Sequence, residues 1–277
     1  MKGSADNRRP LRLAAALAAS VLLVSIVGHA QRGRSRGYEL PLATPESFDG
    51  AFNFCRVVFR QAVNGDGGNW SVDYPRADQN LSIRLSELTK TPISLTSRGE
   101  PNHLLLRLTD PELFRCPFIM MTEVGSIYLD ERETSQLRDY LLKGGFLWVD
   151  DFWGEYAWAI WDSQIRKVLP SGTYPYQDLP LDHPIFHQVF TVSRVPQIPS
   201  IGAWMSLRGG TSERVDSKVP HVRAITDDRG RIMVLISHNT DFGDSFEEEA
   251  TNHEYFLEFS VQGYAFGINA LVHAMTH

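Results

Sequence analysis

The sequence predicts an α/β protein of the flavodoxin-like type, a three-layer sandwich in which helices cover both faces of a central, mainly parallel sheet. Strand-like and helix-like segments alternate from about residue 51 onward, which is the pattern of βαβ units. Two of the strand-like segments, FIMM and FLWV, are unbroken apolar runs, as expected for strands covered on both faces. Of the 277 residues, 43% are hydrophobic and 22% are charged, which is the composition of an ordinary globular domain.

The first elements of this pattern are a strand, a helix and two further strands. FNFCRVVF is rich in aromatic and β-branched residues, which favour a strand. QNLSIRLSELTK then places Leu81, Leu85 and Leu88 at helical spacing, with Asp78 near the start of the helix. PISL is interpreted as a short strand, and CPFIMMT as a buried one.

The next helix, ERETSQLRDYLLK, has signals at both ends. Asp130 and Glu133 resemble a capping box at its start, and Gly144 is placed to end it. FLWVDD then predicts a strand, EYAWAIWDSQIRKVL a helix that a proline ends, and RIMVLISHN another strand. Residues 171–229 are rich in proline and glycine and are expected to form loops and short strands of the same domain.

The closing segment, NHEYFLEFSVQGYAFGINALVHAMTH, predicts a long final helix. Gly263 and Gly267 form a small-xxx-small pair that promotes dimerisation of membrane helices. Glu254, Glu258 and Asn269 argue against a lipid environment. We therefore expect a buried closing helix that packs tightly on the sheet.

The N-terminus has the order of an export signal. Residues 1–30 contain basic residues, then an apolar run that is short for a spanning helix, then small residues. We expect their removal, a linker over 31–50 and one domain over 51–277. The mature protein is then periplasmic or extracellular and not an integral membrane protein. Arg8-Arg9 leaves open twin-arginine export and an ordinary basic leader.

Cysteine content and charge limit the partners. Export permits a disulfide between Cys55 and Cys116. Because a disulfide must meet narrow geometric limits, the sequence favours two buried free thiols instead. The net charge is −6 and no block of Lys and Arg occurs, so nucleic acid is not an expected partner.

Polar residues follow four of the predicted strands, at the carboxyl edge where open parallel sheets bind ligands. The segment NWSVDYPRADQN follows the first strand, and carboxylates also follow FIMM, FLWV and RIMVLIS. We expect these side chains to share one cleft. The candidate catalytic pair is Asp73 and Asp150, and the candidate ligand-binding residues are Trp70, Tyr74, Asp78, Glu123, Asp151, Trp153, Asn239 and Asp241.

This mixture of side chains suits three kinds of chemistry. Paired carboxylates act as general acid and base, clustered oxygens hold Ca²⁺ or Mg²⁺, and a carboxylate beside a tryptophan binds a sugar. Structural roles stand beside these, since Asp78 fits a helix cap, Asp150 fits an anchor for loop amides, and Tyr74 precedes a proline in a turn pattern. Like charges crowded at one edge destabilise a fold without a ligand or proton, which favours function for the cluster.

The expected ligand is a small polyhydroxylated, carbohydrate-like molecule that the cleft either only binds or also hydrolyses. The alternative is a non-catalytic interaction module that contacts an envelope protein. No GxSxG motif is present and neither cysteine ends a strand, so a hydrolase would work without a Ser or Cys nucleophile. GDGG lacks the lysine of a phosphate-binding loop, and His183 and His187 lack the glutamate of a zinc HExxH motif.

The motifs NWSVDYPRADQNL, YLLKGGFLWVDD, LDHPIF and HNTDFGDSFE, with the closing YAFGINALVHAMTH, resemble the bacterial domain-of-unknown-function family 4159 over residues 52–277. That family is grouped with the class I glutamine-amidotransferase-like superfamily, so the resemblance implies a flavodoxin-like fold. The amidotransferases use a cysteine on a sharp turn after a central strand, where this chain has Thr122-Glu123-Val124-Gly125. The resemblance therefore does not imply glutamine hydrolysis. Trehalose-utilisation-like relatives also lack that cysteine and are linked to carbohydrate.

Overall fold

A seven-stranded sheet forms the centre of the structure, a computed structural model that describes residues 40–277. In chain order the strands are β1 (Phe54–Val57), β2 (Arg60–Gln61), β3 (His103–Leu106), β4 (Phe118–Thr122), β5 (Ile127–Tyr128), β6 (Phe146–Asp150), β7 (Tyr176–Asp178), β8 (His221–Thr226) and β9 (Ile232–His238). The α-helices are α1 (Arg76–Thr89), α2 (Glu131–Leu142), α3 (Gly154–Val168), α4 (Ile201–Ser206), α5 (Phe242–Glu247), α6 (His253–Tyr255) and α7 (Val261–Thr276). A π-helical turn, Phe256–Ser260, joins α6 to α7, and short 3₁₀ helices cover Pro45–Ser47, Pro111–Arg115, Val124–Ser126 and Pro184–Phe186.

The strand order of the sheet is β3-β1-β4-β6-β9-β8-β7. The first five strands are parallel to one another. β8 then pairs antiparallel with β9, and β7 pairs antiparallel with β8. The parallel part has the flavodoxin order, in which the chain leaves β1 first toward one edge and then toward the other. The predicted flavodoxin-like α/β sandwich is therefore confirmed. The switch point lies between β1 and β4, and ligands of this fold bind at the carboxyl ends of the strands there.

Helices bury apolar side chains on both faces of the sheet. Along β6, Leu147 and Val149 belong to the core shared with α2 and α3, while Phe146 and Trp148 belong to the core shared with α1, α5 and α7. This alternation follows from the two-residue repeat of a strand. Because both sides of β6 are buried, its sequence is apolar throughout, as the run FLWV predicted.

Two local predictions about helices are confirmed. Asp130 accepts a hydrogen bond from the Glu133 amide at 2.9 Å, and the Glu133 carboxylate accepts one from the Asp130 amide at 3.0 Å, so the capping box is present. The closing helix packs closely on α5. A Cβ on Gly263 would approach the Ser245 hydroxyl to 2.0 Å, and one on Gly267 would approach the Phe246 ring to 2.8 Å.

Four segments differ from their prediction. PISL forms isolated bridges through Ile93 and Leu95 and no strand of its own. The neighbouring segment HLLL, for which no strand was predicted, is β3 at the sheet edge. The closing helix is interrupted by its π-helical turn. Residues 42–50, predicted as linker, belong to the compact unit 42–277, where Leu42 pairs with the middle of β3.

The prediction of two free thiols is wrong, because Cys55 and Cys116 form a disulfide. Cys55 lies in β1, and Cys116 lies two residues before the start of β4, the strand beside it. This adjacency brings the two Cα atoms to 6.3 Å, which is within the range that a disulfide requires. Both side chains are buried.

Replacing both cysteines by alanine is expected to lower the free energy of unfolding by about 4 kcal/mol. The bond closes a loop between residues 61 positions apart, and loop-closure entropy of the unfolded chain gives a stabilisation of that order. Urea unfolding of the double variant and of the parent, each without reductant, measures the difference. A change below about 1 kcal/mol would contradict this estimate.

The predicted signal segment lies outside the described residues. Within residues 40–277, no helix is both long enough and apolar enough to cross a membrane.

Candidate functional site

A buried arginine holds the loop between β2 and α1. Arg56 lies within β1 and is 1% exposed. Its Nε donates to both carboxylate oxygens of Asp78 at 3.0 Å, and its Nη1 donates to the carbonyl oxygens of Trp70 and Val72 at 3.1 and 3.2 Å. Asp78 is fully buried in this ion pair. Asp78 therefore has a scaffold role and not the predicted ligand role. It also does not cap α1, because its carboxylate binds Arg56.

The two aromatic residues predicted in this loop contact the core and each other and do not line the cavity described below. The Trp70 ring packs against the core on the side of α2 and α3, edge-on to Tyr74 at 5.7 Å. The Tyr74 hydroxyl is 2.9 Å from the His103 Nε2 atom. Neither side chain lines the cavity, so the structure does not offer them as stacking surfaces for a sugar there.

Loops at the carboxyl edge of the sheet enclose a cavity of about 170 Å³. Contributions come from the loops after β2, β4, β6 and β9 and from the chain around α4. The lining residues are Asp66, Gly67, Val72, Glu123, Asp151, Trp153, Ala157, Ser200, Glu213, Arg214, Asp241 and Asp244. Four of the sequence-predicted residues, Glu123, Asp151, Trp153 and Asp241, therefore lie together at this edge.

Three aspartates meet at the inner end of this region. Asp73, Asp151 and Asp241 each offer a carboxylate oxygen, and these three atoms lie within 4.8 Å of one another. All three side chains are buried, and the Oδ2 atom of Asp73 has no hydrogen-bond partner. A buried oxygen without a partner is costly, so this arrangement requires a proton, a water molecule or a cation.

Four residues near the carboxyl edge of the sheet have a strained backbone conformation, which sets the direction of their side chains. Asp73, Glu123, Asp151 and Asn239 have φ values of 61°, 56°, 53° and 61°, in the left-handed region. For residues other than glycine this conformation costs roughly 1–2 kcal/mol each, and such residues cluster at functional sites. Three of these residues directly follow β4, β6 and β9, and Asp73 lies in the loop before α1. Their side-chain positions are therefore maintained against a local energetic cost.

The charges of the buried residues are strongly unbalanced. The described part of the chain buries six aspartates and one arginine, Arg56, and no lysine. Arg56 is already paired with Asp78. The five remaining buried aspartates are Asp73, Asp150, Asp151, Asp241 and Asp244. Buried carboxylates are normally paired, protonated or bound to metal. Among the buried residues described, only the positive charge of Arg56 acts on this group, and its ion pair is with Asp78.

Burial accordingly raises the pKa of each carboxyl in the group. The pKa values of Asp73, Asp151 and Asp241 lie well above the ordinary value, first because of burial and then because of neighbouring carboxylates. Burial also raises the pKa of Asp244 and that of Glu123 to about 7. The site therefore takes up protons near neutral pH unless another cation replaces them.

Asp150 is a scaffold residue and does not face the cavity. Its Oδ1 accepts a hydrogen bond from the Ser237 hydroxyl at 2.5 Å, and its Oδ2 accepts from the amides of Phe242 and Gly243 at 2.8 and 3.1 Å. It is fully buried and thereby ties β6 to β9 and to the start of α5. Of the two adjacent aspartates, Asp151 reaches the cavity, so Asp151 replaces Asp150 beside Asp73 as the candidate working residue.

Trp153 and Asn239 position their neighbours. The Trp153 Nε1 donates to Asp151 Oδ1 at 2.9 Å, and the tryptophan is 6% exposed, which leaves little ring face for a ligand. Asn239 accepts from the Gly154 amide and donates to the Val219 carbonyl, both at 2.8 Å. Both residues therefore orient the loop that carries Asp151.

Asp241 caps α5 and faces the cavity at the same time. Its Oδ1 accepts from the Asp244 amide at 2.8 Å, which leaves Oδ2 for a ligand. Gly243 allows α5 to approach the loop between β2 and α1, because a Cβ there would lie 2.1 Å from Asp73 Oδ2. The start of α5 thus brings Asp241 against Asp73.

Comparison with known families gives one match over most of the chain. The family model described as "Domain of unknown function (DUF4159)" matches residues 55–275. A search of curated proteins gives no match.

Proposed function

We propose that this chain, which belongs to the DUF4159 family, binds a divalent cation at Asp73, Asp151 and Asp241 and through it an oxygen-rich, polyhydroxylated ligand. One observation carries the proposal: three buried carboxylate oxygens lie within 4.8 Å of one another, and Asp73 Oδ2 has no partner. Two oxygens bound to one ion are separated by at most about 4.2 Å for Mg²⁺ and about 5.2 Å for Ca²⁺. The cluster therefore fits such ions with little or no movement.

The donor atoms favour a hard cation. The cluster consists of carboxylates alone, and carboxylate oxygens suit Mg²⁺, Ca²⁺ and Mn²⁺ better than the softer ions that prefer histidine and cysteine. A divalent ion also supplies the positive charge that the five buried aspartates lack. The raised pKa values show that these carboxylates favour the protonated form when no cation is bound. A bound divalent ion would stabilise their ionised form instead.

The rest of the cavity is suited to hydroxyl groups. Glu123 and Glu213 contribute carboxylates and Arg214 a guanidinium to its lining. Three carboxylates leave several positions of a six- to eight-coordinate ion open for ligand oxygens or water. Recognition of a carbohydrate-like molecule would rest on the cation and on hydrogen bonds. Hydrolysis at this site would use cation-bound water as the nucleophile, since the chain shows no Ser or Cys nucleophile motif.

The proposal includes export and a place in the glutamine-amidotransferase-like superfamily. The basic and apolar order of residues 1–30 supports export, and so does the disulfide, since such bonds are rare in the cytosol. The flavodoxin strand order supports the superfamily. Under this placement, Glu123, at φ 56° after β4, would correspond to the position of the amidotransferase cysteine.

Thermal unfolding after chelator treatment tests the cation site. Added Mg²⁺, Mn²⁺ or Ca²⁺ is expected to raise the melting temperature, since a cation at 100 times its Kd stabilises the folded state by about 2.7 kcal/mol. Asp73→Asn and Asp151→Asn should abolish the shift, whereas Asp228→Asn, an exposed carboxylate at the opposite edge of the sheet, should retain it. Repeating the scan with a panel of sugars in the presence of cation tests the ligand class. An unchanged melting temperature with every cation would favour the interaction module.

Stability without cation is expected to fall as the pH rises from about 4 to 8. Burial raises the pKa values of Glu123, Asp150 and Asp244 to about 7 in the folded protein, above the ordinary 4.5 and 3.8. Groups with raised folded pKa values contribute stability below their unfolded pKa, and the contribution is lost as the pH passes the folded pKa. Cation binding requires deprotonated ligands, so the stabilisation by cation should grow over the same interval. Urea unfolding at pH 5 and pH 8, with and without Mn²⁺, measures this; equal cation effects at both pH values would contradict it.

A further inference from the structure

A second group of carboxylates shares Asp73 with the first. Asp73, Asp244 and Glu247 each offer an oxygen, and these three atoms also lie within 4.8 Å of one another. Asp73 and Asp244 are buried, whereas Glu247 is partly exposed. The two groups together contain five carboxylates, and Asp73 belongs to both.

The helix α5 brings three of the five carboxylates to one side. Asp241 is its N-cap residue, and Asp244 and Glu247 follow at intervals of three, a spacing that places side chains on the same face of a helix. Gly243 on this helix leaves space for Asp73, because a Cβ at this position would lie 2.1 Å from Asp73 Oδ2. The sequence DFGDSFE therefore presents a row of carboxylates along Asp73.

We infer that Asp73 bridges two divalent cations, one held with Asp151 and Asp241 and the other with Asp244 and Glu247. The inference rests on the proposed function of the first group and extends it to a two-cation centre. Asp73 Oδ2 is buried without a hydrogen-bond partner, in a residue that is 6% exposed. A carboxylate shared by two groups is the ligand that two-metal sites use to hold ions about 3.5–4 Å apart.

The second group has free coordinating atoms. Asp244 Oδ2 accepts a hydrogen bond from the Ile201 amide at 2.6 Å, which leaves Oδ1 for an ion. Glu247 lies at the end of α5, and its partial exposure gives the second ion access to solvent and to ligand oxygens. The second ion would thus be the more open of the two.

Charge also favours two ions over one. Four carboxylates surround Asp73, and Arg56, the buried cation of the described residues, is paired with Asp78. One divalent ion leaves most of that negative charge buried, whereas two ions offset four of the five charges. The competing explanation is a proton shared between Asp73 and the carboxylates of α5, which requires no second ion.

Mn²⁺ binding by calorimetry and electron paramagnetic resonance tests the two-cation centre in the purified protein. The expected result is two Mn²⁺ per chain with the broadened spectrum of a coupled pair. Glu247→Gln should reduce the count to one and restore an isolated-ion spectrum, and Asp73→Asn should lose both ions. Glu254→Gln, an exposed residue of the neighbouring helix, is the matched control and should retain two.

The outcomes separate this inference from the proposed function. A single Mn²⁺ that Asp151→Asn removes and Glu247→Gln leaves in place would overturn the bridged pair and keep the first site. Two ions without coupling in the spectrum, or two ions that persist in Glu247→Gln, would also overturn it. No binding to the parent protein would overturn both.

Discussion

Replacing Arg56 by methionine is expected to lower the free energy of unfolding by about 3–5 kcal/mol, because breaking one side of a buried ion pair leaves an uncompensated charge. Asp78 would remain fully buried without its partner. The carbonyl groups of Trp70 and Val72 would lose their donor as well. Urea unfolding of the variant and the parent at pH 7 measures the difference.

Two control variants identify the cause of this loss. Arg60→Met removes an arginine whose ion pairs are exposed, with 54% of its own side chain accessible, and should cost less than about 1 kcal/mol. Arg56→Met combined with Asp78→Leu should recover much of the stability, since apolar residues often replace a buried pair well. The recovered protein should still bind cations poorly, because Arg56 holds the loop that carries Asp73. A loss below about 1 kcal/mol for Arg56→Met alone would contradict this assignment.

Asp73→Asn is expected to weaken cation binding at least about 100-fold. Replacing a residue that only hydrogen-bonds to a metal ligand already lowers metal affinity about 10–100-fold, and Asp73 would be a ligand itself. The same replacement should raise the stability of the cation-free protein, since burial and neighbouring carboxylates raise the pKa of Asp73, so that folding at neutral pH must protonate it, and the neutral amide avoids that cost. Calorimetric titration with Mn²⁺ and urea unfolding in chelator measure the two effects. Weaker cation binding together with a higher free energy of unfolding identifies Asp73 as a ligand. Replacement of a structural residue would lower both the affinity and the free energy of unfolding.

The sequence predicted the fold because periodicity and capping signals are local. The unbroken runs of β4 and β6 and the capping box of α2 depend on nearby residues. The position of β3 was missed because HLLL is a short edge strand whose assignment depends on pairing with β1. The disulfide was missed for a similar reason, since the adjacency of β1 and β4 is a property of the sheet order and not of either segment.

The sequence predicted which strand ends carry the polar residues of the candidate site, but not the role of each residue there. Which of Asp150 and Asp151 faces the cavity depends on the left-handed conformation of Asp151, which strand alternation does not predict. Trp70 packs against the core, and Arg56 holds its backbone through the carbonyl group. An arginine within the strand-like segment FNFCRVVF was the available signal for that anchor, since buried charges are rare without partners. Glu247 was missed because its role depends on the placement of Asp73 beside α5.

Anomalous diffraction from a crystal soaked in Mn²⁺ tests the central claim most directly. The proposed function predicts an anomalous peak about 2.0–2.6 Å from carboxylate oxygens of Asp73, Asp151 and Asp241, at the carboxyl ends of β6 and β9. An empty site at saturating Mn²⁺, with these carboxylates joined to one another by short hydrogen bonds through shared protons, would contradict it.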